Sequence, residues 1–181
     1  MKYLTVVKYD PTWPTLFEQL RDRISKATGD IAVAIEHVGS TAVPGLSAKP
    51  VIDMDVVVKG APGGATAIER LATLGYRHRG NLGIEGREAF DNPPDSPAHH
   101  LYVCPHGNLA LRNHLAIRDH LRSDPEGAKS YGELKQTLAR EYVNDIDGYI
   151  DGKTDFLANI LSVCGMTDTE LESIARANRR D

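Results

Sequence analysis

The sequence predicts an α/β protein in which a mixed β-sheet is flanked by helices and followed by a helical C-terminal part. Two runs rich in Ile and Val, residues 31–38 and 51–58, are typical of strands buried inside a sheet. Apolar residues at helical spacing lie before the first run and after the second. From Asn108 onward this helical spacing dominates, which indicates that the strands are confined to the first part of the chain.

Length and composition favour a single domain. The chain has 181 residues, of which 41% are hydrophobic and 25% are charged, an ordinary balance for a globular protein. A second full domain would be cramped at this length. We therefore expect one domain over residues 1–181, with a mixed core over about 1–106 and C-terminal helices over about 107–178.

Charge and cysteine content narrow the classes of partner. A net charge of −4 gives no reason to expect tight nonspecific binding to nucleic acid or to an anionic membrane. The chain shows no run of the ~18 apolar residues that a membrane span needs, and its first apolar run is too short for a signal peptide. Cys104 and Cys164 lack the spacing of a metal or redox pair, which favours a reduced, cytoplasmic protein.

Local patterns predict the elements of the first part in order. Residues 3–7 predict a short strand or extended arm, and residues 14–27 predict a helix whose apolar residues share one face. The two buried strands follow. Glycines and a proline predict a loop over 59–66, before a helix over about 65–74 that Gly75 ends. Short strands are expected over 76–79, 87–90 and 99–104.

The C-terminal part is predicted as a series of helices. Asn108 is a suitable N-cap for the first helix, which ends at Asp124, and Pro125 begins a second helix over about 125–144. A third helix is expected over about 155–164. Thr167 and Glu170 have the spacing of a capping box, which predicts a short terminal helix.

The strongest chemical pattern lies between residues 39 and 55. A Gly39-Ser40 turn and a loop ending in Lys49 precede a strand that carries Asp53 and Asp55. Successive side chains on a strand point to opposite faces, so the two carboxylates share one face, roughly 6–7 Å apart along the strand. Carboxylates are the ligands that magnesium prefers, and loop amides can receive phosphate oxygens. The stretch therefore predicts a divalent metal bound together with a phosphate.

Two less specific interpretations of the same stretch stay open. Burying two like charges on one strand face costs several kcal/mol unless a cation or hydrogen-bond donors compensate them. The strand would instead be an edge strand with a solvated acidic face, or the acids would form salt bridges with Lys49 and nearby arginines. Lys49 itself would then be an ordinary surface charge.

These residues carry a resemblance to a known family. One pattern is similar to the signature of the nucleotidyltransferase superfold. A hydrophobic residue precedes Gly39 and Ser40, and two aspartates that flank a hydrophobic residue begin 13 residues after the serine. The whole stretch from His37 to Asp55, HVGSTAVPGLSAKPVIDMD, more closely resembles the GrpB family. The Asp-Pro-x-Trp motif at 10–13, the His-His-Leu-Tyr-Val motif at 99–103 and the block that starts at Asn108 agree with this family.

The resemblance implies a nucleotidyltransferase-like fold and roles for particular residues. Asp53 and Asp55 would be the catalytic residues and would hold Mg²⁺ or Mn²⁺, which neutralises phosphate charge during in-line displacement. The remaining candidates are residues that would meet phosphates or the nucleotide: Gly39, Ser40, Thr41, Lys49, Arg87 and Arg112. Family members also occur fused behind dephospho-coenzyme A kinase domains, which hints at nucleotide or coenzyme metabolism.

Two functions follow from the resemblance and from the residues. The first is metal-dependent transfer of a nucleotidyl group from a nucleoside triphosphate to an unknown acceptor. The alternative is a non-catalytic protein that binds a nucleotide or another phosphorylated metabolite on the same fold. Neither function involves a membrane, and no strong nucleic-acid signal accompanies them.

The third carboxylate of the superfold has no clear counterpart in this sequence. Glu88 and Asp91 are available, but neither lies in a clear strand context, and Glu36 precedes the turn. The equivalent strand is instead expected to be 99–103, where His100 and Tyr102 share one face and His99 points to the other. A histidine can bind metals softer than magnesium, so His100 is a possible metal ligand.

Overall fold

A computed structural model describes residues 5–178 of the chain. The helices and strands found in this range are, in chain order, α1 (Trp13–Thr28), β1 (Ala32–Val38), β2 (Ile52–Val58), α2 (Gly60–Thr73), β3 (Arg77–His78), β4 (Glu88–Asp91), β5 (His99–Pro105), α3 (Leu109–Ser123), α4 (Pro125–Glu141), α5 (Ile146–Asp151), α6 (Thr154–Val163) and α7 (Asp168–Asn178). A short 3₁₀ turn, Ser40–Ala42, follows β1. The predicted mixed sheet with flanking and C-terminal helices is confirmed.

The five strands form one mixed sheet in the order β1-β2-β5-β4-β3. Strands β2 and β5 are parallel, whereas β1 and β4 pair antiparallel with their neighbours. Strand β2 therefore has a neighbour on each side, and the edge-strand interpretation of the two aspartates is wrong. In the register of the sheet, Asp53 lies between Val38 and His100, and Asp55 lies between Glu36 and Tyr102.

The two faces of the sheet are covered by different helices. One face, with Met54 and Val56 at its centre, packs against Ile24 of α1 and Leu71 of α2 in the main apolar core. The opposite face carries Asp53 and Asp55 and lies beneath α3. Side chains on alternate positions of a strand point to opposite faces, so the acids are held on the face that looks toward the C-terminal helices.

A separate apolar cluster joins the segment after β1 to the C-terminal helices. Val43 and Leu46 of this segment pack with Leu121 of α3, Tyr131 of α4 and Ile160 of α6. Val43, Leu46 and Tyr131 are all buried, so this packing holds the segment after the Gly39-Ser40 turn against α4. The site thus forms where the sheet meets the helical part.

The structure corrects two predictions about the elements. The loop predicted over 59–66 is wrong, because helix α2 begins at Gly60. Pro62 lies in its first turn, where a missing backbone N–H leaves no helical hydrogen bond unmade, and Gly63 lets the helix approach Val58 closely. Helix α5 was not predicted; it is short, contains Gly148 and is capped by the Asp145 side chain.

The predicted helix boundaries of the C-terminal part agree closely with the structure. The Asn108 side chain caps α3 by accepting a hydrogen bond from the Ala110 amide. Thr167 and Glu170 form the predicted capping box before α7. The expected arm over 3–7 lies partly outside the described residues, and within them Val7 pairs with Ala48 in an isolated bridge. Across residues 5–178, no helix combines the length and the apolarity that crossing a bilayer demands.

Candidate active site

The site begins at the turn after β1, where a glycine is required. Gly39 has a φ of +70° and a ψ of −171°, a conformation that is essentially restricted to glycine. A Cβ atom at this position would overlap the carboxylate of Asp53. The absence of a side chain therefore brings the turn against the first aspartate of β2.

The two aspartates lie on one face of β2, as predicted, but in different environments. Asp53 is partly exposed, and its Oδ1 lies 2.7 Å from Nδ1 of His100 on β5. Asp55 is fully buried, and its Oδ2 lies 2.7 Å from Nδ1 of His114 on α3. The other oxygen of Asp55, Oδ1, is buried and has no hydrogen-bond partner among the described residues.

His114 is a site residue that the sequence analysis missed. Burial opposes charge on its imidazole, but the adjacent Asp55 carboxylate outweighs burial and raises the pKa of His114. The sequence does contain a pattern that places this residue on a buried helix face. Spacings typical of one face relate four residues of α3: Leu111, His114, Arg118 and Leu121. His114 and His120 lack the i, i+4 spacing of a helical metal site, so spacing along the helix does not indicate the contact of His114 with β2.

Three lysines line a cavity of about 290 Å³ next to Asp53 and the Gly39-Ser40 turn. They are Lys49 from the loop before β2, Lys135 from α4, and Lys153 immediately before α6. Nζ of Lys135 donates a hydrogen bond to Oγ of Ser40 at 2.7 Å. Within residues 5–178, none of the three lysines forms an ion pair with a carboxylate.

Burial is the main cause of the lowered pKa values of these lysines, and neighbouring positive charge adds to it for Lys135 and Lys153. Burial lowers the pKa of Lys135 to about 7, and the nearby positive charge of Lys153 contributes. Burial also lowers the pKa of Lys153 to about 8, with a further contribution from Lys49. The pKa of Lys49 is lowered mainly by burial. Only Asp53 acts in the opposite direction, so the cavity would gain from a bound anion.

The sequence carries a signal for Lys135 but none that we recognise for Lys153. On α4, Ala128, Tyr131, Lys135 and Leu138 are buried and follow the spacing of a single helix face. A lysine in that apolar stripe, only 2% exposed, is costly without a partner. Lys153 lies at the start of a helix, where a lysine is unremarkable in sequence.

Of the other predicted phosphate-binding residues, Thr41 lines the lysine cavity, whereas Arg87 and Arg112 do not. Thr41 is buried, and its hydroxyl bonds to Nε2 of His37 at 3.0 Å and to the carbonyl oxygen of Val51 at 3.4 Å. Arg112 pairs with Glu170 of α7 at 2.6 Å, away from the lysine cavity. Arg87 lines a second cavity and does not reach the first. The structure thus groups Gly39, Ser40, Thr41, Lys49 and Asp53, and leaves Arg87 and Arg112 outside this group.

The candidates for a third carboxylate all contact basic side chains, including Glu36, which lies opposite Asp55 on β1. Each carboxylate has a partner of its own: Glu88 contacts His78, Asp91 contacts Arg77 and Arg79, and Glu36 contacts Arg118. The neighbours of the two aspartates on β5 are His100 and Tyr102, as the pattern of residues 99–103 predicts. In the described part of the chain, no three His, Cys, Asp or Glu side chains are grouped as a metal site.

The two aspartates nevertheless fit a magnesium ion that is bound together with a nucleotide. Magnesium usually keeps several waters and is held by one or two carboxylates plus substrate phosphates. The buried Oδ1 of Asp55 lacks a partner, and Oδ2 of Asp53 faces the Gly39 turn beside the lysine cavity. Asp53 and Asp55 would hold such a cation, whose charge would compensate both carboxylates.

The fold is that of the nucleotidyltransferases. Cid1, solved in complex with its short product ApU, aligns with a TM-score of 0.52 at 14% sequence identity, over 74% of this chain and 43% of Cid1. Another structure of the Cid1 poly(U) polymerase, bound to MgATP, gives a TM-score of 0.50 at 13% identity, over 72% of this chain and 45% of that one. At these identities the similarity defines the fold and not the reaction.

The chain belongs to the GrpB family, whose model, described as GrpB protein, matches residues 3–162. The crystal structure of GrpB from Enterococcus faecalis aligns with a TM-score of 0.78 at 31% identity, over 95% of this chain and 98% of that one. YqkA of Bacillus subtilis is 34% identical over 84% of this chain, which spans only 44% of YqkA. A dephospho-CoA kinase of Mycolicibacterium paratuberculosis is 25% identical over 80% of this chain and 42% of the kinase.

Proposed function

We propose that this chain is a magnesium- or manganese-dependent nucleotidyltransferase that moves a nucleotidyl group from a nucleoside triphosphate to an acceptor. One observation carries the proposal: three lysines that have no carboxylate partner among residues 5–178 line one cavity with the Ser40 turn and Asp53. A triphosphate is the kind of ligand that needs several cations and a metal at one place. The fold shared with Cid1, one structure of which contains MgATP, supports the same ligand class.

In this proposal the lysines and the turn hold the triphosphate. Lys135 and Ser40 already share a hydrogen bond, so one arriving phosphate oxygen can contact both. Lys49 and Lys153 flank the same cavity and add positive charge. Charge-assisted hydrogen bonds to phosphate are roughly twice as strong as neutral ones. The lysines therefore supply affinity and stabilise the pyrophosphate as it leaves.

The carboxylates would hold the metal. Asp53 and Asp55 face the α3 side of the sheet from one strand, and the bound ion would neutralise phosphate charge as a Lewis acid. In the reaction, an acceptor oxygen forms a bond to the α-phosphorus while the bond from that phosphorus to the bridging oxygen breaks. The bridging oxygen leaves with its electron pair as pyrophosphate, and the acceptor proton is released to solvent. The protein contributes mainly position and charge.

A second candidate is a protein that binds the nucleotide or another phosphorylated metabolite without turning it over. The observation that favours it is the residue beside Asp55, where β5 supplies Tyr102. Each aspartate is also engaged by a histidine, His100 or His114. Both candidates use the same lysine cavity, and both would act on soluble phosphorylated compounds in the cytoplasm. They differ only in whether the α-phosphorus is attacked.

Calorimetry and pyrophosphate release test the proposal together. With magnesium, each of the four nucleoside triphosphates is titrated into the wild-type protein and into Asp53→Asn and Asp55→Asn. We expect the metal-dependent part of binding to weaken at least about tenfold in both variants, a loss of ~1.4 kcal/mol. Asp91→Asn is the matched control, because Asp91 pairs with Arg77 and Arg79 on the outer strands.

Release of pyrophosphate separates the two candidates. The protein is incubated with α-labelled triphosphates, magnesium, a panel of small acceptors and, separately, protein lysate. A transferase moves the α-label to an acceptor and releases pyrophosphate, and both events disappear in Asp53→Asn. Metal-dependent binding without label transfer selects the binding protein. Unchanged binding in both aspartate variants would show that the assigned site is wrong.

A further inference from the structure

A second cavity lies next to the lysine cavity and shares the lining residue His114 with it. It has a volume of about 540 Å³, in the range of pockets that bind small molecules. Its walls come from the loop before β4, the start of α3 and the end of α7. His114, which pairs with the buried Asp55, lines both cavities, so the two cavities meet at this pair.

Arg87 lines this second cavity and is a buried charge with few partners. It is 8% exposed, and in the described chain its guanidinium forms no ion pair. Among residues 5–178, its buried Nε has no hydrogen-bond partner, and its Nη2 donates a hydrogen bond to the carbonyl oxygen of Asn81 at 3.4 Å. Taking a guanidinium out of water is costly unless an anion and further acceptors compensate it. The residue is therefore set up for an anion that comes from outside the chain.

Other groups on the walls fit a polar, anionic ligand. Asn113 lines the cavity, and its Oδ1, which has no partner among the described residues, would accept a hydrogen bond from a hydroxyl of the ligand. The first turn of α3, with Asn108 as its cap, forms part of the wall and contributes the positive end of a 15-residue helix. Arg176 of α7 lines the opposite side. Among residues 5–178, the carboxylate on the walls is that of Glu85, which is exposed.

The position of Arg87 links this cavity to the reacting centre. The guanidinium carbon lies 4.4 Å from the centroid of the Tyr102 ring, and Tyr102 is the neighbour of Asp55 in the sheet. A ligand that is held on Arg87 would thus lie on the same sheet face as the two aspartates. It would approach them from a cavity other than the one that the three lysines line, and in-line displacement needs the acceptor and the leaving group at different places, on opposite sides of the phosphorus.

We propose that the cavity lined by Arg87 and Asn113 binds the acceptor, and that the acceptor is a small molecule with a carboxylate or phosphate group and a nucleophilic hydroxyl. The inference rests on the proposed function. The anionic group binds Arg87, and the hydroxyl oxygen forms the new bond to the α-phosphorus. Pyrophosphate departs on the lysine side, and the hydroxyl proton is released. A long polymer is disfavoured, because α7 closes one side of the cavity.

The arginine Nε–Hε signals in a ¹⁵N-labelled full-length protein test this directly. The protein is first saturated with magnesium and α,β-methylene-ATP, which fills the lysine cavity. Inorganic phosphate and acetate are then titrated separately at constant ionic strength. We expect the Arg87 signal to shift saturably with at least one of them, and the better probe identifies the anionic group. The signal of Arg79, whose guanidinium pairs with Asp91, should stay in place.

Variants and a polymer probe complete the test. Arg87→Gln should weaken calorimetric binding of the better probe at least tenfold, whereas Arg79→Gln should not change it. An Arg87 signal that responds to neither probe would overturn the inference even if α,β-methylene-ATP binds. A response only to a single-stranded oligoribonucleotide would overturn the small-molecule assignment. Failure of the proposed function is seen separately, as failure of α,β-methylene-ATP to bind before either probe is added.

Discussion

Nζ of Lys135 lies 2.7 Å from Oγ of Ser40, although the two residues are 95 positions apart in the chain. The hydrogen bond joins α4 of the helical part to the turn that follows β1. A buried lysine is thereby aimed at the turn next to Asp53, and burial lowers its pKa to about 7. The lysine thus adds positive charge to a site that already contains two carboxylates, and a metal–triphosphate ligand requires both signs of charge.

Replacing Lys135 should weaken nucleotide binding without weakening the fold. Lys135→Met removes a hydrogen bond to a charged phosphate, worth ~1.5–3 kcal/mol, so the Kd for the magnesium–triphosphate complex should rise roughly 10- to 100-fold. The free energy of unfolding should stay equal or increase, because a buried charge is replaced by an apolar side chain of similar length. Calorimetry and chemical denaturation measure the two effects.

Lys129→Met is the control for this experiment. Lys129 is exposed on the same helix and lies outside the lysine cavity. Its removal should leave both quantities unchanged. Equal loss of affinity in the two variants would mean that only overall charge matters, and not the cavity.

Triphosphate binding should take up protons from solution near pH 8. Free Lys135, with a pKa of about 7, is largely uncharged at this pH, and a bound phosphate raises its pKa toward the usual lysine value of 10.5. The complex therefore binds more protons than the free protein, and affinity falls as pH rises from about 7 toward 10.5. Calorimetry in buffers of different ionisation enthalpy gives the number of protons. Lys135→Met should reduce this uptake, and an unchanged value would contradict the assignment.

The Gly39 turn should not tolerate a side chain. Gly39→Ala forces a residue with a Cβ into a conformation that costs ~1–3 kcal/mol, and the new atom overlaps the Asp53 carboxylate. We expect lower thermal stability together with loss of metal-dependent nucleotide binding. Gly45→Ala isolates the second effect, since Gly45 also has a positive φ of 79° but has no atom within 4 Å of the position of a Cβ. That variant should lose stability while retaining binding.

His114 should stabilise the metal-free protein through Asp55. His114→Ala leaves a fully buried carboxylate without a partner, and we expect the free energy of unfolding to fall by about 3 kcal/mol, near the lower end for a broken buried pair. Magnesium should restore part of this loss, because the ion then compensates Asp55. Thermal unfolding with and without magnesium measures the recovery, and its absence would argue against a metal at Asp55.

His120→Ala provides the comparison on the same helix. His120 faces Asp124 at 4.0 Å and does not line the lysine cavity. This variant should show a small loss of stability that magnesium does not reverse.

The half of the site that lies on the sheet could be predicted from sequence. The alternation of a strand places Asp53 and Asp55 on one face, and the position of His100 beside Asp53 follows from the pattern of residues 99–103. These relationships depend only on strand geometry and on which strands pair. The lack of an acid on β5 next to Asp55, where the register places Tyr102, was anticipated for the same reason.

The helical half could not be predicted in this way. Lys135, Lys153 and His114 reach the site only because α3, α4 and α6 pack over the turn after β1, and that packing is not encoded in any local spacing. Arg87 is a residue whose role was predicted but whose position was not. Its positive charge suggested a phosphate contact, but the position of β4 in the sheet places it in the neighbouring cavity.

A crystal structure of the protein with magnesium and α,β-methylene-ATP tests the central claim most directly. We predict that the triphosphate occupies the cavity of about 290 Å³, with phosphate oxygens at hydrogen-bond distance from Lys135 and Ser40. The metal ion should lie between these phosphates and the carboxylates of Asp53 and Asp55. Electron density for the analogue elsewhere on the protein, or an empty lysine cavity at saturating analogue, would contradict the account.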